Sequence, residues 1–203
     1  MAKSEEQFKM IRDQRYEEIS HAALKVFARK GYAATKISDI TSTANISHGL
    51  FYHYFQSKKH MYVSLILNIL QLFIETVEEA ENRKGTSRDQ LAWLTDITFS
   101  GSLEQAIDRH LLVMEALKSE FLSEEEKQEF IEKYKISMEG IARIIKNGQK
   151  EGLFIEGDPM ELAIYYLSYS QGLTLWNARG VHPIKVSTET VMRQFCTDYP
   201  SKI

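Results

Sequence analysis

The chain has 203 residues, 43% hydrophobic and 26% charged, the balance of a globular protein with either one large domain or a small domain joined to a larger one. A single cysteine, Cys196, excludes an internal disulfide and a thiolate metal site, and no run approaches the ~20 uninterrupted apolar residues of a membrane span. Net charge is -3, yet residues 1–60 hold ten Lys/Arg against six Asp/Glu while the remainder holds fifteen against twenty-two, so a basic head on an acidic body suits a polyanion partner.

The charged N-terminus, MAKSEEQFKMIRDQRYEE, has no apolar run of the kind a signal peptide carries, and a reducing cytoplasm is the expected location. In the first helix Tyr16, Ile19, Ala23, Val26 and Phe27 recur at three- and four-residue steps, and Gly31 supplies the stop. A short second helix carries Ile37, Ile40 and Ala44, with Thr35 as its expected N-cap. Asn45 breaks it, Ser47 caps a third short helix, and Ser57 caps a long fourth one reaching about Asn82. The stretch NRKGTSR (82–88) reads as a loop. Ser87 with Gln90, Ser102 with Gln105 and Ser123 with Glu126 have capping-box spacing, which predicts helix starts near 88, 103 and 124. Gly152 ends the helix from 124, Asp158 and Pro159 open the next, and a last helix is expected from Ser187 to before Pro200. The expected fold is all-α: an N-terminal three-helix helix-turn-helix head (1–57), then a larger helical bundle (58–203) that ends in a dimerising helix pair.

The segment ISHGLFYHYFQSKKHMY (46–62) crowds aromatic and basic groups around one glycine. At about 100° per residue, Phe51 and Phe55 share a face and can pack on Ile37, Ile40 and the first helix. Gly49 and His53 then point the other way, with Leu50 and Tyr52 on the flanks. Tyr52, His53 and Tyr54 can donate to phosphate oxygens, and Gly49 lets a backbone approach a groove. His48 and Leu50 lie where a recognition helix meets base edges, and Lys58 sits at a positive helix end. The same pattern also fits a plain helix pair with a solvated rim.

With the first-helix run AALKVFARKGYAATKI, the segment TKISDITSTANISHGLFYHYFQSKKHMY (35–62) resembles the DNA-binding head of the tetracycline-repressor (TetR) family of bacterial regulators, through the signature S-x-G-x-[FL]-Y-x-Y-F-x-S-K. The resemblance covers roughly residues 12–65. It implies an all-helical homodimer whose heads bind an inverted-repeat operator on double-stranded DNA, and whose body binds a small-molecule inducer that lifts repression. It places Thr35 near phosphate, Ser47, His48, Gly49 and Leu50 at the start of the recognition helix, Tyr52, His53 and Tyr54 along its DNA edge, and Lys58 at the following helix start. The family often has Lys or Arg at His48, a polar residue at Leu50, and acidic residues where this chain has Lys59 and His60.

In the body, MELAIYYLSYSQGLTLWNARG (160–180) is apolar on nearly every face, which predicts burial on both sides: against its own bundle and, with the helix of about 188–198, against a second copy. A central core helix in a monomer is the competing reading. Trp93, Phe99, Met114, Phe121, Tyr134, Met138, Tyr165, Tyr169 and Trp176 are candidates to line a largely apolar ligand cavity, with His110, Glu139 and Gln171 as polar contacts. For each of them taken singly, plain core is the first reading and ligand contact the second. No HExxH, GxxxxGK[ST], GxSxG or GxGxxG motif is present, so neither an enzyme, nor a cofactor, nor a metal is expected. The rivals are a DNA-binding protein whose body is a protein-interaction platform and, further back, a small helical enzyme.

Overall fold

A computed structural model describes residues 5–100, 103–178 and 184–197, and the chain over these residues is all-α. Helix α1 (Glu5–Ala34) bends at Gly31, whose φ of +73° is the left-handed conformation open to a residue without a Cβ. Helix α2 (Ile37–Thr43) has Lys36 and not Thr35 as its N-cap, because the Thr35 hydroxyl is drawn back to donate to the Gly31 carbonyl at 2.7 Å. The Lys36 N–H donates to Asp39 Oδ2 at 2.9 Å. Asn45, at φ +52°, makes the turn, and Ser47 opens α3 (His48–Tyr54) by accepting the Leu50 N–H at 3.2 Å.

Helix α4 (Lys58–Asn82) begins with Ser57 Oγ accepting the His60 N–H at 3.0 Å. By length and composition it could cross a membrane, but Met61, Tyr62, Leu65, Ile66, Leu70, Ile74 and Val77 form a buried stripe at helical spacing. Helix α5 (Ser87–Ser100) opens on a reciprocal cap between Thr86 and Asp89, with hydrogen bonds of 2.9 and 3.2 Å, rather than on Ser87 and Gln90. Ser87 is held by Glu151, through its N–H and its hydroxyl at 3.0 Å each. Gln90 Nε2 donates to the carbonyls of Glu81 and Arg83 and so closes the end of α4.

Helix α6 (Leu103–Lys118) starts as expected, although its predicted cap Ser102 lies outside the described residues. Helix α7 (Glu124–Lys150) has the full Ser123–Glu126 capping box, at 2.7 and 3.2 Å, and Gly152 at φ +71° follows its end. Helix α8 (Pro159–Ala178) opens with Asp158 Oδ1 accepting the Glu161 N–H at 2.9 Å. The last helix is shorter than expected. After α9 (Thr188–Met192) the chain turns and pairs with the segment behind α7, Ile155 N–H donating to Phe195 O at 2.9 Å and Thr197 N–H to Leu153 O at 3.0 Å. Cys196 is buried in that pairing.

The chain divides into two compact units, residues 1–68 with 108–126 and residues 69–107 with 127–203. The first takes in α1, α2, α3 and the start of α4, together with residues 108–126. That unit has its core around Ile19, Phe27, Ile40, Phe51 and Phe55; the second has its core around Leu91, Leu94, Ile141, Ile144, Tyr166 and Leu167. In the second unit α4 and α7 approach closely at Gly140, where a Cβ would stand 2.4 Å from Val77 Cγ1.

Candidate nucleic-acid interface

Helix α3 divides its residues as its periodicity requires. Phe51 and Phe55 are buried, with the Phe55 ring 5.1 Å from Tyr16 and 5.7 Å from Phe51, and these contacts fix α3 on α1. On the opposite side Ser47, His48, Gly49, Tyr52 and His53 are exposed, Tyr52 by 54%. Leu50 and Tyr54 are half-buried at the flanks. The Tyr54 ring is 5.2 Å from His53 and 6.5 Å from Tyr16, so its phenol is steadied from both sides. A Cβ on Gly49 would meet only Ser47 Oγ, at 3.9 Å. Among the described residues nothing requires a glycine there.

Two of the nine predicted DNA residues turn inward. Thr35 is 2% exposed and its hydroxyl is already engaged. Lys58 Nζ donates to the carbonyls of Tyr32 at 2.7 Å and Thr35 at 2.8 Å, and lies 4.2 Å from the centroid of the Tyr32 ring. Its ammonium thus closes the α1–α2 corner, which neighbouring residues in sequence could not reveal. Lys36, the N-cap of α2, and Ser42, within it, are also exposed, and neither was a candidate from the sequence. Lys36 had a signal, a cation at a helix start beside the predicted cap. Asp39 pairs with Lys30 at 2.9 Å, and the Lys36 N–H first and then Lys30 hold its carboxyl below the ordinary value.

The predicted ligand residues scatter. His110, Met114 and Phe121 belong to the same compact unit as the head, and Phe121 stacks on Tyr32 with centroids 3.6 Å apart. Burial draws the His110 imidazole below its usual value. In the second unit Trp93, Phe99, Tyr134, Met138 and Tyr169 are half-buried against the core, and Gln171 Nε2 donates to Tyr134 Oη. Tyr165 and Trp176, by contrast, lie on the outer side of α8, exposed by 53% and 40%, and the Tyr165 hydroxyl donates to Glu161. A buried polar pair escaped the sequence reading: Thr95 Oγ1 and Tyr166 Oη are 3.0 Å apart, and burial pushes the Tyr166 phenol up to about 12.

The sequence pattern of the tetR family of bacterial regulatory proteins matches residues 19–65, which takes in the second half of α1, α2, α3 and the start of α4. The fatty acid metabolism regulator protein of Bacillus subtilis is 28% identical over 164 residues, covering 80% of this chain and 83% of that protein. The solved structure of the B. subtilis regulator FadR with stearoyl-CoA is 24% identical, covers 87% of this chain and 95% of that one, and superposes with a TM-score of 0.67. The TetR-family regulator PfmR from Thermus thermophilus gives the same TM-score of 0.67 at 24% identity, over 87% and 93% of the two chains. Residues 19–65 thus carry the DNA-binding pattern of the TetR family, and over most of its length the chain is similar in sequence and fold to transcriptional regulators of that family.

Proposed function

We propose that the protein is a cytoplasmic repressor that binds an inverted-repeat operator as a homodimer and leaves it when an apolar acyl ligand, of the class of a long-chain acyl thioester, occupies the body. The exposed face of α3 carries the reading: an open glycine between hydrogen-bonding side chains, on a helix whose other face is fully packed. In this reading His48 and Leu50 meet base edges, while Ser47, Tyr52, His53 and Tyr54 hold phosphates and the Gly49 backbone closes on the groove. Lys36 joins the phosphate contacts. Thr35 and Lys58 set the angle of the head from within.

Dimerisation is assigned to α8. Ile164, Tyr165, Gly172 and Trp176 lie, with Glu161 and Ser168, on one exposed side of a helix whose opposite side is buried, and an open, largely apolar stripe of this kind is what an isologous interface covers. The acyl ligand rests on the half-buried aromatic and methionine side chains of the second unit, with Gln171 as a neutral polar contact. The name of the B. subtilis relative and the stearoyl-CoA in the FadR structure support that class.

The test is selection of bound sequences from a random duplex library at fixed salt, repeated with stearoyl-CoA. An inverted repeat is expected, with its recovery falling as the thioester is added. No enrichment would sink the operator reading. Enrichment indifferent to any acyl thioester would leave the body as a protein-interaction platform.

A further inference from the structure

The α1–α2 corner is gripped from a segment distant in sequence. The bend at Gly31 frees the Tyr32 N–H from the helix, and that N–H donates to Glu115 Oε1, on α6, at 3.1 Å. The Tyr32 carbonyl takes the Lys58 ammonium, and its ring is stacked on Phe121 with the planes 13° apart. A Cβ on Gly31 would press on Glu115 Oε1 at 3.1 Å, so both φ and space favour glycine there. Two further ties join the same pieces: Tyr62 Oη donates to Leu112 O at 3.4 Å, and Lys59 pairs with Glu126 at 2.8 Å. Glu115 is half-buried and has Tyr32 as its bonded partner 83 residues away.

We infer that Glu115 is a positioning residue for operator binding: its carboxylate, which reads no DNA, holds the Tyr32 backbone so that α2 and α3 meet the groove at a fixed angle. The geometry sets a clear contrast. Lys58 and Glu115 take the Tyr32 backbone from either side with opposite charges, and Phe121 blocks the ring from swinging. Loss of the carboxylate leaves a half-buried N–H without its acceptor and lets the corner relax. Specific binding needs that angle because base contacts demand register, whereas binding to random duplex needs only charge. The inference rests on the head being the DNA-binding part.

The experiment compares full-length wild type with Glu115→Ala and Glu115→Gln. It measures affinity for the selected operator and for random duplex across a salt series, with amide exchange at Tyr32. Glu115→Ala is expected to weaken operator binding about tenfold, the loss typical of a hydrogen bond to a charged group, with an unchanged salt slope and unchanged random-duplex affinity. Tyr32 exchange should speed up. Glu115→Gln, which keeps an oxygen acceptor, should fall between the two, and it carries the comparison alone if the alanine variant does not fold. Tighter binding to every duplex, the effect of deleting an acidic charge and nothing more, overturns the inference. So does wild-type operator affinity in a variant whose Tyr32 amide exchanges fast. A wild-type protein with no sequence preference sinks the DNA reading and takes this inference with it.

Discussion

Helices α3 and α8, to which the proposed function gives different partners, share one device. Each carries a glycine on its open side, Gly49 and Gly172, and a Cβ at either would meet little or nothing among the described residues. Around Gly49 stand Ser47, His48, Tyr52 and His53, all able to donate hydrogen bonds. Trp176 stands one turn after Gly172, and Tyr165 and Ile164 stand two turns before it, exposed by 40%, 53% and 44%. Leaving out one side chain opens a close approach in both places, and the rim decides what approaches. A donor-rich rim suits a polyanion, which must keep its hydrogen bonds; an apolar rim suits another protein surface, which gains by shedding water.

The largest effect should come from breaking α8. Replacing Ile164 and Trp176 together by Glu is expected to give monomers in light scattering and to weaken operator binding on the order of 10²-fold or more, because two linked heads lose their shared site. Next is Gly49→Leu, which should leave the melting temperature unchanged yet weaken operator binding by roughly tenfold or more in a titration, as a side chain enters the groove approach. Leu50→Ala should change which base is preferred at one position of each half-site, at ~1–3 kcal/mol, and a repeat of the library selection would show it. If every sequence weakens equally, Leu50 reads no base.

Lys58→Met separates the two regions' logic from within. It strands the Tyr32 and Thr35 carbonyls, so it should cost the head about 1–3 kcal/mol in chemical denaturation while hardly changing the salt slope of DNA binding. The smallest effect concerns Asp39, whose carboxyl is held below its ordinary value by the Lys36 N–H and by Lys30. A depressed folded value means that its stabilisation is present above the unfolded value and is lost as pH falls through the folded one. The melting temperature of wild type should therefore exceed that of Asp39→Asn at neutral pH, and the gap should close on acidification below about pH 4.

What could be read from the sequence was what neighbours in sequence decide. Ser47, Ser57, Asp158 and the Ser123–Glu126 pair cap their helices where expected, because a cap reaches only three residues. The burial of Phe51 and Phe55 followed from their four-residue spacing. Expectations failed where a distant group intervened. Glu151 takes Ser87 from 64 residues away and leaves the cap to Thr86. Residues 153–155 pull the chain after Met192 out of helix. Tyr32, 26 residues upstream, takes the Lys58 ammonium, which its charge, its place at a helix start and the family resemblance had pointed at phosphate. Phe121 was placed with the ligand candidates because its partner, Tyr32, lies 89 positions earlier.

The head's compact unit is discontinuous, made of residues 1–68 and 108–126. That limits how such regulators can be recombined. A single crossover after residue 57, the obvious seam in the gene, would carry α1–α3 into a foreign body but leave Lys58, Glu115 and Phe121 behind. A transplant that carries 1–68 together with 108–126 keeps the corner intact. Exchange of operator specificity between relatives is thus a two-segment graft, and chimeras joined at one point should fold their recognition helix yet aim it poorly.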